Sequence, residues 1–262
     1  MAILIQTISF IGSGNLAWHL APALDNMGFV VNEVFSPNPR HAEELTDRLY
    51  QAEVKASLDF STSNSSVFII AASDDTIRAI AQEIVLPDDA ILLHTSGSQP
   101  LNELQFSATP NLGVFYPLQT FSKSKKIDFK TVPIFIESSN VETETVMMVM
   151  AKSISQHVKK ITSEERKALH LAAVFASNFT NHMLTLSKDI LQQNSLDFDL
   201  LKPLITETIN KSLSIGPEQA QTGPARRGEL EILDKHLKFL QTDKALAEIY
   251  KIISQHIVDK YQ

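Results

Sequence analysis

Near the start of the chain stands Ile8-Ser9-Phe10-Ile11-Gly12-Ser13-Gly14-Asn15-Leu16-Ala17, a short apolar run, a G-x-G-x-x-A turn and the opening of a helical stretch. Each small residue in such a turn has a physical task. Gly12 permits the tight strand-to-helix reversal, Gly14 lets backbone approach a pyrophosphate, and Ala17 lets the helix pack close to the sheet. The anion would sit at the helix N-terminus, where unsatisfied N–H groups and the helix dipole favour negative charge. The turn therefore predicts a dinucleotide cradle built from Gly12, Ser13, Gly14, Asn15 and Leu16. Its alternative is a glycine turn in a Rossmann-like domain without a ligand.

The following residues fit that reading. After the first strand the spacing predicts a helix over 15–27 with Gly28 as its terminator, a strand over 30–35 and a helix over 40–50. Val67-Phe68-Ile69-Ile70-Ala71-Ala72 is continuously apolar, as in a strand buried on both faces. Asp74-Asp75 opens another helix, and 91–94, 112–115 and 132–136 read as further strands. The lysine-rich stretch 122–126 between the last two reads as a solvated loop. Beyond about residue 140 the pattern becomes helical only. It predicts a helix over 141–157, then one of roughly 30 residues from Ser163, with Thr162 and Glu165 as its capping box. Two more follow, over 227–240 and 244–258. The expected fold is α/β: a Rossmann-type parallel sheet domain (residues 1–138), followed by an all-helical C-terminal domain (139–262) for substrate and dimerisation.

The end of the second strand bears on the cofactor. NAD-binding units place Asp or Glu there for the ribose 2′-hydroxyl. This chain has Phe35-Ser36-Pro37-Asn38-Pro39-Arg40 instead. Ser36 and Asn38 are neutral donors, and Arg40 could pair with a 2′-phosphate, so NADP is expected ahead of NAD. Glu33 falls inside the strand and is a poor ribose ligand. Ala72, His94 and Thr95, at the carboxyl ends of central strands, complete the expected cofactor contacts.

For chemistry, Ser96-Gly97 follows the 91–94 strand at the sheet edge where doubly wound folds bind ligands. Ser96 could touch nicotinamide or substrate, or simply cap the next turn. Tyr116-Pro117-Leu118-Gln119-Thr120 occupies the equivalent edge one strand later. On the long helix His170, Val174, Asn178 and then Asn181 or His182 fall on one stripe at helical spacing. His170 is the candidate proton donor beside Asn178, against the alternative of buried polar groups satisfied within a bundle. Thr222-Gly223-Pro224-Ala225-Arg226-Arg227-Gly228 reads equally as an anion loop or as a loop with solvated arginines.

Composition removes several classes. The net charge of −7 argues against nucleic-acid binding through a basic face, and the absence of cysteine excludes thiol catalysis, disulfides and thiolate metal sites. No His/Asp/Glu pattern suggests a metal site. No apolar run approaches the roughly 20 residues of a membrane span, and residues 1–6 read as the lead-in to a strand, so a cytoplasmic protein is expected.

Five segments in order, Ile11 to Ala17, His94 to Ser98, Tyr116 to Phe121, Ala173 to Phe179 and Thr222-Gly223-Pro224, resemble a bacterial family. Its members pair a Rossmann-like domain with a helical C-terminal domain of unknown function and are taken for NADP oxidoreductases. More distantly the chain is similar to pyrroline-5-carboxylate reductase, deazaflavin-dependent NADP reductases, and the hydroxyisobutyrate and 6-phosphogluconate dehydrogenases. That resemblance implies a homodimer through the C-terminal helices and an active site between domains. It also implies hydride transfer between NADP and a small metabolite, whether imine, keto acid or deazaflavin. The hydroxyacid branch uses a lysine one turn before its asparagine. Val174 stands there, so that mechanism does not carry over. The rival reading is a non-catalytic NADP(H)-binding sensor or scaffold dimer; a methyltransferase is disfavoured, since the glycine turn would have no phosphates to hold.

Overall fold

The computed structural model describes residues 6–262, and residues 1–5 of the expected lead-in lie outside them. The chain forms two compact units, the first running to Ser177 and the second covering Asn178–Gln262.

In the first unit the strands are β1 (Thr7–Ile11), β2 (Val30–Phe35), β3 (Glu53–Lys55), β4 (Val67–Ile70), β5 (Ile91–His94), β6 (Asn111–Pro117), β7 (Ile134–Ser138) and β8 (Val158–Lys160). They form one sheet in the order β3-β2-β1-β4-β5-β6-β7-β8. It is parallel through β6, as the apolar runs imply; β7 reverses against β6, and β8 runs parallel to β7. Strict alternation divides the sheet between two cores. Ile8, Phe10, Val67, Ile69 and Leu93 face one, with Leu20 and Leu24 of α1 (Ala17–Asp25) and Leu45 of α2 (Pro39–Thr46). Ile11, Phe68, Ile70 and Leu92 face the other, with Ile77 and Ala81 of α3 (Ile77–Glu83). Each such fully buried Ile, Leu or Phe contributes about 1.5–3 kcal/mol against remaining in water.

The expected domain boundary at 138/139 falls at the end of β7. Beyond it α4 (Val141–Ile154) buries Met147, Met150, Ala151 and Ile154 in the first core, β8 adds an edge strand, and α5 (Ser163–Ala173) also lies in the first unit. Asn140 caps α4 through the Thr143 N–H, and the Thr162/Glu165 capping box starts α5 as expected. The long helical run is not uniform. A π segment, Val174–Phe179, separates α5 from α6 (Thr180–Gln193). Each π residue turns less about the axis than an α residue, so positions across this segment do not follow the 3.6-residue spacing read from the sequence.

The second unit contains α6, α7 (Lys202–Ile215), α8 (Pro217–Ala220), α9 (Pro224–Arg227), α10 (Leu230–Phe239) and α11 (Lys244–Tyr261). Of its residues only Ala225 and Leu233 are buried, while Leu200, Leu204, Leu213, Phe239 and Ile252 are exposed. Among the described residues no helix is long and apolar enough to cross a membrane, and no cluster of three or more His, Asp or Glu could hold a metal ion.

Candidate functional site

A cavity of about 830 Å³ opens at the carboxyl ends of β1, β2 and β4, where the strand order reverses. Ligands bind at such switch points because crossovers diverging to opposite faces leave a crevice. Gly12, Ser13, Gly14, Asn15, Leu16, Ser36 and Ala72 all stand in its wall.

The two glycines of the turn are needed for different reasons. Gly12 has φ +108° and donates its N–H to the Phe35 carbonyl at 2.8 Å. A Cβ there would collide with the Ala71 carbonyl, so the protein itself requires this glycine. At Gly14 a Cβ would meet nothing closer than the Ala71 oxygen at 4.0 Å, so packing leaves room for a side chain. What a side chain would occupy is cavity. Helix α1 starts from Leu16 with no side-chain cap and no acidic residue in its first turn. The turn residues Gly12 to Leu16 that lead into it line the cavity, and no acidic side chain of the first turn occupies its N-terminus, features that together fit a pyrophosphate.

At the end of β2 the wall is Phe35, Ser36, Pro37 and His41. Glu33 is turned away as expected. It accepts from Ser9 Oγ at 2.9 Å and from the Ser63 hydroxyl, and pairs with Lys55 at 3.2 Å. No carboxylate therefore closes this strand against a 2′-phosphate. Two expected contacts are absent from the wall. The Asn38 side chain is engaged as the α2 N-cap, accepting from the Arg40 N–H at 3.2 Å, and Arg40 is exposed and does not line the cavity.

His94 and Thr95 also do not reach the cavity. Thr95 Oγ1 donates to the Ile70 carbonyl at 3.3 Å, and His94 is wholly buried, its Nδ1 accepting from the Ser96 N–H at 3.1 Å. At the end of a central strand covered on both faces, a side chain has only core to enter. Burial, then the nearby Arg166 charge, pushes the His94 pKa down to about 3 from an ordinary 6.5. Nε2 has no partner at hydrogen-bond geometry, and the Pro100 backbone only partly offsets the shift. Between pH 3 and 6.5 the unfolded chain binds a proton that the native state does not, so this stability is complete above about pH 6.5 and is lost as pH falls. Urea unfolding is expected to show His94 costing about 2 kcal/mol at pH 5 relative to pH 7. His94→Gln should flatten that slope; an unchanged slope would contradict the buried neutral ring.

The turn after β5 is built around a residue that sequence reading passed over. Ser96 Oγ accepts from the Ser98 and Gln99 N–H groups, so Ser96 acts as a turn cap. Inside the turn lies the wholly buried Arg166 of α5. Its Nη1 donates to the carbonyls of Ser96 at 3.0 Å, Gly97 at 3.2 Å and Gln99 at 2.7 Å, and its Nη2 pairs with Glu137 at 2.9 Å. A lone arginine in an otherwise amphipathic helix gives no sequence signal of this role.

Beside the turn, Tyr116 Oη and His170 Nδ1 lie 3.0 Å apart. Gly97 fits between them, since a Cβ there would meet the Tyr116 ring at 2.7 Å and His170 Cγ at 2.8 Å. Burial raises the Tyr116 pKa above its usual value, so its hydroxyl stays protonated. Ser98 Oγ donates to the Asp74 carboxylate, and Asp74 lies between Ser73 and Thr76 of the cavity wall. Asn178 belongs to the second unit. There Arg226 donates to the Tyr261 carbonyl at 2.9 Å, and Arg227 pairs doubly with Glu229 at 2.7 and 2.8 Å, so both arginines of the 222–228 loop are engaged by the chain itself.

A family model described as a domain of unknown function, DUF2520, matches residues 132–257. A crystal structure of a candidate NADP oxidoreductase from Bacteroides fragilis is 39% identical, with 97% of this chain and 98% of that chain covered and a TM-score of 0.89. The chain belongs to the DUF2520 family. Two more distant structures share the fold. Plasmodium falciparum pyrroline carboxylate reductase with NADP bound is 14% identical, covering 97% of this chain and 98% of that one, with a TM-score of 0.61. The reductive aminase of Aspergillus terreus, in complex with NADPH and ethyl-5-oxohexanoate, is 12% identical, covering 98% and 95%, with a TM-score of 0.71. No curated protein matches the chain.

Proposed function

We propose that this DUF2520 protein is an NADP-dependent oxidoreductase transferring a hydride between the nicotinamide and a small metabolite, whether imine, keto acid or deazaflavin. The observation that carries the reading is the uncapped start of α1 in the cavity wall beside Gly14. The identity of the B. fragilis relative and the neutral end of β2 point to NADP within that cavity. The bound cofactor would supply or accept a hydride at its nicotinamide. The chain's own task is then to hold the dinucleotide and manage a proton. Gly12 to Leu16 would hold the pyrophosphate, with Ser36 and Pro37 at the adenosine end. In this reading the Tyr116 hydroxyl, 3.0 Å from His170 Nδ1, donates to that nitrogen, so that Nε2 carries the transferable proton. His170 Nε2 is the atom we assign to deliver the proton to the reduced substrate, the Tyr116 hydroxyl proton passing to Nδ1 in the same step and being replaced from solvent. Ser96 supports this pair through the turn.

The second unit, which buries only Ala225 and Leu233, supports a homodimer through the C-terminal helices. Sedimentation should give twice the chain mass, and a monomer at micromolar concentration would contradict it.

The experiment is NADPH oxidation by the purified protein against panels of imines, keto acids and deazaflavins. Turnover with one class is expected. His170→Asn should lower it roughly 10²–10⁴-fold, the range for a general acid, while leaving NADPH affinity unchanged. Tight NADPH binding without turnover on any panel would favour a non-catalytic sensor.

A further inference from the structure

The stretch 122–126 is not simply a solvated loop. His19 Nε2 donates to the Ser122 carbonyl at 2.9 Å, and Phe121 stacks on Phe129 at 5.9 Å and packs on the first core. Lys123 is thereby carried across α1. Its ammonium lies 4.5 Å from the centre of the Trp18 ring, on an indole that Arg48 also covers at 4.0 Å. It stands in the cavity wall with His41, the third residue of α2. Its carboxylate partner is Glu44 at 3.2 Å, in a pair with side chains 36% and 53% exposed. Such a pair is held weakly in water, so a stronger anion can take the lysine from it.

We infer that the 2′-phosphate of NADP is read by His41 and Lys123 together, from the α2 turn and from the strap over α1, and not by Arg40. This rests on the cavity being a dinucleotide site. Both side chains stand in the cavity wall, whereas Arg40 is exposed off it. A phosphate dianion between an imidazole N–H and an ammonium gains charge-assisted hydrogen bonds, whereas the uncharged 2′-hydroxyl of NAD gains far less from either group.

The test is calorimetric titration of the wild type, Lys123→Met, His41→Asn and Arg40→Ala with NADPH and with NADH. The first two substitutions should each raise the NADPH Kd roughly tenfold to a hundredfold, the range for one charge-assisted hydrogen bond, and leave NADH within about twofold. Arg40→Ala should leave both cofactors within about twofold. Both substituted side chains are exposed, and unchanged melting temperatures will confirm intact folds. Equal losses for NADPH and NADH would place Lys123 or His41 on the pyrophosphate and overturn the assignment. So would a selective NADPH loss in Arg40→Ala alone, or no loss in any variant of a protein that binds NADPH tightly. A wild type that binds neither dinucleotide would overturn the reading of the cavity, and this assignment with it.

Discussion

Gly14→Val should abolish dinucleotide binding and leave the fold intact. The new Cβ meets nothing of the protein within 4 Å except the Ala71 oxygen at 4.0 Å, and Gly14 does not hold a left-handed φ. The branched side chain would instead fill cavity at the start of α1, where a pyrophosphate needs contact with backbone N–H groups. Loss of two such hydrogen bonds to a charged group costs about 3–6 kcal/mol, or more than a hundredfold in affinity. Gly12→Ala makes the contrast. Its φ of +108° and the Ala71 carbonyl in its path should destabilise the protein itself. Calorimetry with NADPH and thermal melting of both variants separate the two roles. Retained NADPH affinity in Gly14→Val, or a large fall in its melting temperature, would refute this division.

Arg166→Met should be the most damaging single substitution to stability. The guanidinium satisfies the carbonyls of Ser96, Gly97 and Gln99 and pairs with Glu137, whose side chain is only 17% exposed. Methionine preserves most of the apolar stem but leaves three carbonyls without their donor and Glu137 without its cation, held by the Ser163 hydroxyl. Breaking a buried pair from one side costs about 3–5 kcal/mol. For a chain of this size that lowers Tm by roughly 6–20 °C. Adding Glu137→Leu should recover part of the loss, because the stranded charge is removed too. Arg166→Met should also move His94 upward in pKa, since the Arg166 charge helps hold it down. A change below about 1 kcal/mol in the single variant would mean that the 96–99 turn stands without its guanidinium.

Much of the sheet was legible because local signals agree there. The β1 turn, the all-apolar β4 and the Asp74-Asp75 helix start are each set by neighbours in sequence, and the structure places them as read. Strands β3 and β8 escaped because three residues at a sheet edge, largely exposed, carry no apolar alternation. The π segment at Val174–Phe179 escaped too, since the residues around it suit an α-helix equally well. Within the site, the cradle was legible and the far wall was not. His94 reads as a ligand because histidine at a strand end usually meets solvent, whereas β5 is flanked by β4 and β6 and covered on both faces. Arg166 carries no signal in the sequence, and Lys123 reads as a solvated charge. What they meet, a carbonyl turn 67 to 70 residues away and a cavity wall reached through a strap over α1, is fixed only by tertiary packing.

Parallel titration of the purified wild type with NADPH and NADH tests the central claim most directly. Saturable binding with NADPH at least tenfold tighter than NADH is expected from an uncapped α1 beside a neutral β2 end. Binding of neither cofactor would contradict the account, leaving the glycine turn as a strand-to-helix connection without a ligand.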